Sequence, residues 1–107
     1  MATGISIRDF RDHLTDYSVR VERGELLVVQ RLGTSIVLLR TPGEGDQGRP
    51  ISITSLRRHA CRALRLAERR PLLVLWHCRR SMWMGPLPPG VAVDHARPRR
   101  QPRGRAA

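Results

Sequence analysis

The sequence predicts an α+β fold: two tandem β-α-β-β modules, each a small antiparallel sheet with one helix, packed as a pseudo-dimer and followed by a disordered basic tail. Three observations lead there. An amphipathic helical pattern is followed by two short β-rich runs. The same arrangement recurs 46 positions later. Beyond Pro86 the large apolar residues thin out and proline, glycine and arginine take over. The chain has 107 residues, enough for one ordinary domain or two very small ones. A unit of about 40 residues rarely buries enough surface to stand alone, so the two modules need each other.

The first module spans 1–40. "ISI" (5–7) is a short strand entry. Ser6 with Asp9 three residues on resembles a capping box and starts a helix near Ile7 or Arg8. Phe10, Leu14, Tyr17 and Val21 recur at spacings of four, three and four, which is one helical face. Gly24 stops that helix. "LLVVQR" and "SIVLLR", separated by "LGT", then read as a β-hairpin. Both runs are apolar at successive positions, so both faces of the hairpin need cover. Residues 41–50, "TPGEGDQGRP", form a linker without a large apolar residue.

The second module spans 51–85. At a constant offset of 46, residues 5–39 align with 51–85 without a gap, and eleven of 35 positions are identical. About two would match by chance. Leu56, Ala60, Ala63 and Ala67 fall where Phe10, Leu14, Tyr17 and Val21 fall, with Leu64 alongside. Pro71 ends the second helix, and "LLVLWH" and "SMWMG" make the second hairpin. The copies can pair within one chain or between two chains as a homodimer. Residues 86–107 are expected to be a disordered, Pro/Arg-rich tail.

Charge is the strongest global signal. All 20 basic residues are arginine, against nine acids, for a net charge of +11. Residues 1–46 hold six arginines and seven acids; residues 47–107 hold 14 arginines and two acids. So basic a second half points to an anionic partner, nucleic acid or an acidic protein surface. No stretch approaches the roughly 20 apolar residues of a membrane span, and no signal peptide is visible at the start. Two cysteines, Cys61 and Cys78, make no disulfide framework, so a reduced, cytoplasmic setting is expected.

"ISIRDFRDHL…VERGELLVVQRLG" resembles the N-terminal DNA-binding module of Phd/YefM-type antitoxins, the group that includes many antitoxins of VapC toxins. The likeness rests on "ISI", on "FRDHL", on "ERGE" closing the helix and on the hairpin "LLVVQRLGTSIVLL". It covers 5–40 well and 51–85 more weakly, where "RGE" becomes "RRP". The resemblance implies a joined pair of modules whose helix starts and hairpins form a DNA surface. It implies an operator, a cognate toxin, autorepression of transcription and no cofactor. The positions matching the family's operator contacts are Arg11 and Arg31, and Arg57 in the second copy. Arg8 and Arg58 lie beside them. His77 falls at the Arg31 position of the ungapped alignment, with Arg79 and Arg80 close by as substitutes. The guanidinium fork suits phosphates and guanine edges. Toxin neutralisation has two candidate locations, the second module and "PPGVAVDHA"; a protein that only binds DNA, or one that binds an acidic partner without reading DNA, remains open.

The remaining polar and aromatic residues carry weaker signals. His13 and His59, at equivalent helix positions, read as packing or capping residues. His59, Cys61, His77 and Cys78 do not have zinc-site spacing; His77 and Cys78, adjacent on a strand, would face opposite ways. Trp76, Trp83 and Met84, with Met82, are a candidate partner-binding patch. No phosphate loop, nucleophile elbow or carboxylate pair points to an enzyme.

Overall fold

A computed structural model describes residues 2–91 and 93–94. Its element order is β1 (Ala2–Ser6), α1 (Ile7–Asp12), α2 (Leu14–Glu22), β2 (Leu27–Arg31) and β3 (Thr34–Arg40). Then follow β4 (Arg49–Ser52), α3 (Ile53–Arg58), α4 (Ala60–Ala67), β5 (Leu72–Trp76), β6 (Arg79–Gly85) and the two-residue β7 (Val93–Asp94). All the strands belong to one sheet, ordered β4-β5-β6-β3-β2-β1-β7.

Local chemistry explains the helix starts. The Ser6 hydroxyl accepts from the Asp9 N–H at 3.0 Å, and the Ser52 hydroxyl accepts from the Ser55 N–H at 3.1 Å. Each expected single helix is instead a pair. His13 (φ −125°, ψ 36°) and His59 (φ −129°, ψ 42°) leave the helical region and bend the chain between α1 and α2 and between α3 and α4. The hydrogen bonding nevertheless runs through the bend: the His13 N–H donates to the Asp9 carbonyl, and the His13 carbonyl accepts from Tyr17. Both histidines are exposed, and neither makes a side-chain cap, so they serve neither packing nor capping.

The sheet is mixed and continuous, not a pair of small antiparallel sheets. The chain leaves β1, crosses through a helix pair and returns as β2 parallel to β1; β4 and β5 are related in the same way. The hairpins β2–β3 and β5–β6 are antiparallel, and β3 joins β6 antiparallel through Leu38–Gly85, Leu39–Met84 and Arg40–Trp83.

The strand register corrects the ungapped alignment. Thr3 pairs with Leu27 and Arg49 with Leu72, so the first strands are offset by 46 but the hairpins by 45. One residue fewer connects the second helix pair to its hairpin. Leu26, 41% exposed, therefore does not correspond to the buried Leu72; Leu27 does. A one-residue slip in a strand moves a side chain to the other face, so this distinction decides which residues are equivalent. Both hairpins carry their irregularity at matching places, Val29/Gln30 and Val74/Leu75. Both turn through two residues of positive φ, Leu32–Gly33 (51° and 81°) and His77–Cys78 (51° and 64°). His77 and Cys78 thus form a tight turn and are not strand residues.

The core lies between the sheet and the four helices. Phe10, Leu14, Tyr17 and Val21 pack with Leu56, Ala63, Leu64 and Ala67 over Ile5, Leu27, Val29, Val37, Leu39, Leu72, Val74, Met82 and Met84. On the opposite sheet face Ala2, Val28, Leu38, Leu73 and Trp83 are covered by Leu87, Val91 and Val93. The segment after Pro86 is therefore not wholly a disordered tail: up to Asp94 it straps the second face, and β7 adds to the edge of β1. The rest of the expected disordered tail, 95–107, lies outside the described residues.

On that second face the Arg40 guanidinium lies 4.0 Å from the Trp83 ring centroid. Asp46 grips it from the linker with bonds of 2.6 and 3.0 Å. Arg40 and the Gly43 N–H together hold the Asp46 carboxyl down at about 2.

Four substitutions test the stability of the fold. Cys78→Gly relieves a positive-φ residue and should raise stability by about 1 kcal/mol in urea unfolding, while Gly33→Ala should lower it by a similar amount. A Cβ at Gly85 would collide with the Trp83 ring, so Gly85→Ala should cost about 1–3 kcal/mol. Because the Asp46 pKa is depressed, its contribution is complete above the ordinary carboxylate range and lost as pH falls toward about 2. Acid unfolding followed by circular dichroism should show a shallower acid limb for Asp46→Asn than for the native chain.

Candidate nucleic-acid interface

The arginines singled out from the sequence occupy three regions. Arg8 and Arg11 lie on α1, Arg57 and Arg58 on α3, and all four are exposed. In the first half Asp12 sits beside both of its arginines, 3.4 Å from Arg11 and 4.0 Å from Arg8. Arg58 takes the place of Asp12 in the second half, so that local neutralisation is absent there. Arg57 instead reaches across the halves and donates to the Thr15 hydroxyl at 3.0 Å, which sets α3 beside the start of α2.

Arg31, at the end of β2, is engaged by Glu68 at 3.4 Å. With the hairpin offset corrected, its counterpart is not His77 but Trp76, half-buried and packed on the core. Arg79 and Arg80 match Thr34 and Ser35. Arg80 donates to the Gly43 carbonyl at 3.4 Å and so sits by the linker, while Arg31 sits by Glu68. Arg31 and Arg80 therefore do not share a partner.

Sequence reasoning passed over Arg62, Arg65 and Arg69. These are exposed and, with Arg31, Leu66 and Glu68, line an open trough of about 560 Å³. A second concavity of about 630 Å³, lined by Arg49, Arg69, Arg70 and Leu66 among others, shares part of that lining. The signal was present as arginines three and four residues apart along α4 and the turn that follows it, with no acid in the first turn of the helix.

Of the candidate partner patch, Met84 is fully buried in the main core and Trp83 is 9% exposed under Arg40. Neither can be offered to a partner by this fold. Alternation along β6 puts one on each face, and both faces are covered. Trp76 keeps partial exposure and stacks edge-on with His77.

Among the described residues no group of three or more His, Cys, Asp or Glu is arranged to hold a metal. Cys61 and Cys78 are free and exposed. No helix among the described residues is long and apolar enough to cross a membrane. In comparisons with known proteins, no family model, curated protein or solved structure matches the chain.

Proposed function

We propose that this protein is an antitoxin of a type II toxin–antitoxin pair, in which two tandem Phd/YefM-like modules, 1–40 and 51–85, form a pseudo-dimer within one chain. It binds operator DNA, represses its own transcription and neutralises a cognate toxin. The observation that carries this reading is the mirrored sheet order about the β3–β6 junction, with Arg11 and Arg57 in the same turn of equivalent helices. A dimeric DNA-binding protein presents equivalent arginines to two half-sites, and this arrangement supplies such a pair in one molecule. The net charge of +11, which includes the five arginines of 95–107, supplies the sequence-independent attraction.

The two halves present different side chains, so the operator is an imperfect palindrome. Neutralisation through "PPGVAVDHA" requires that segment to leave the sheet, since Val91 and Val93 pack beneath it. A second reading, a module that binds an acidic protein without reading DNA, is favoured by Trp76 in place of an arginine and by the Arg31–Glu68 pair.

A gel-shift titration on the upstream region tests the first reading. About six phosphate contacts give a log–log salt slope near −5, and a slope near zero rejects DNA binding. Arg11→Ala with Arg57→Ala should cost about 1–3 kcal/mol per site on the operator, and less on unrelated DNA. Co-expression with the neighbouring reading frame, followed by co-purification, tests for the toxin.

A further inference from the structure

The exposed surface that runs from the end of α3 along α4 to the turn after it differs in charge from its counterpart in the first half, although the two helix pairs occupy equivalent places under one sheet. Arg58, Arg62, Arg65 and Arg69 stand where Asp12, Asp16, Val19 and Arg23 stand in the first half. The first set sums to +4 and the second, one arginine and two aspartates, to −1. Among the described residues Arg62, Arg65 and Arg69 make no ion pair within the protein. The trough they share with Arg31 holds one carboxylate, Glu68, and that carboxylate faces Arg31.

We propose that this trough, between α4 and the tip of β2, docks the phosphate backbone of duplex DNA, so that the second half of the protein holds the nucleic acid more strongly than the first. The proposal rests on the DNA-binding reading and adds a surface that reading does not use. Arg62 and Arg65 lie three residues apart on α4, about 4.5 Å along its axis, and Arg69 stands in the turn just after the helix, so the three can reach successive phosphates. Guanidinium groups without an internal carboxylate lose little by binding phosphate, because no existing pair has to break. Leu66 is the one apolar side chain lining the trough, with no aromatic beside it. That lining suits phosphate better than a protein partner, whose anchors are aromatic or large apolar groups set in a pocket.

The test compares the full native chain with the triple variant Arg62→Ala, Arg65→Ala, Arg69→Ala. Alanine keeps helix propensity at Arg62 and Arg65, Arg69 stands exposed in the turn after α4, and circular dichroism verifies the fold. Binding is measured across salt concentrations on the operator and on an unrelated duplex of equal length. The expected result is a slope smaller in magnitude by about 2–3, with affinity falling by the same factor on both duplexes. Arg23→Ala, on the other half, leaves the slope unchanged.

A native chain that binds DNA beside a triple variant with an undiminished slope overturns the trough and leaves DNA binding intact. A native chain with no salt-dependent DNA binding removes both. Preference of the native chain for poly-glutamate over duplex DNA, abolished in the triple variant, assigns the trough to an acidic protein and also overturns the proposal.

Discussion

Leu38, Leu39 and Arg40 of β3 pair with Gly85, Met84 and Trp83 of β6, and this short ladder joins the two halves of the sheet. Neither half has a core of its own size to spare. A helix pair of six and nine residues over three strands leaves an apolar flank, and the flank closes only where the other half meets it. The junction imposes a local requirement in turn. Position 85 must lack a side chain, because the Trp83 ring fills that space. Trp83 is then held between the glycine and Arg40, and Arg40 is held by a linker carboxylate. The linker thus pins the central joint as well as bridging two segments.

From that joint follows the way charge is distributed. The halves are fixed in one body, so a substitution in one need not be matched in the other, as it would be in a symmetric dimer of identical chains. The first half keeps its arginines next to carboxylates, Asp12 beside Arg8 and Arg11 and Glu25 on Arg20. The second half lacks those acids. One side of the molecule supplies neutralised, positioned arginines and the other an unbalanced positive field, which is the stronger attractor for a polyanion.

Much of the fold was legible. Ser6 and Ser52 marked the helix starts, and the Phe10–Leu14–Tyr17–Val21 spacing marked the buried face. Both hairpins were visible as paired aliphatic runs. What escaped depended on information outside the local pattern. The bends at His13 and His59 leave the three- and four-residue spacing almost intact, so periodicity does not register them. Parallel pairing of β1 with β2 is a matter of where a helix returns the chain. The lost residue before β5 hid behind chance matches such as Leu26 with Leu72, whose burial differs completely. Leu87, Val91 and Val93 were too sparse, among prolines and glycines, to register as a covering element. The exposed arginines were visible by type, but the trough beside α4 emerges only when the tip of β2 lies against that helix.

The sheet ends also differ. One outer strand, β1, has its exposed backbone occupied by β7 at Ala2 and Thr3. The other, β4, has no strand beyond it among the described residues and carries Pro50, which has no N–H to donate. Backbone pairing between copies head to tail is therefore disfavoured: one end is occupied in part and the other is interrupted. Two β4 edges meeting would stop at a pair. A chain of net charge +11, if crowded onto a polyanion, is thereby guarded against growing into a fibre.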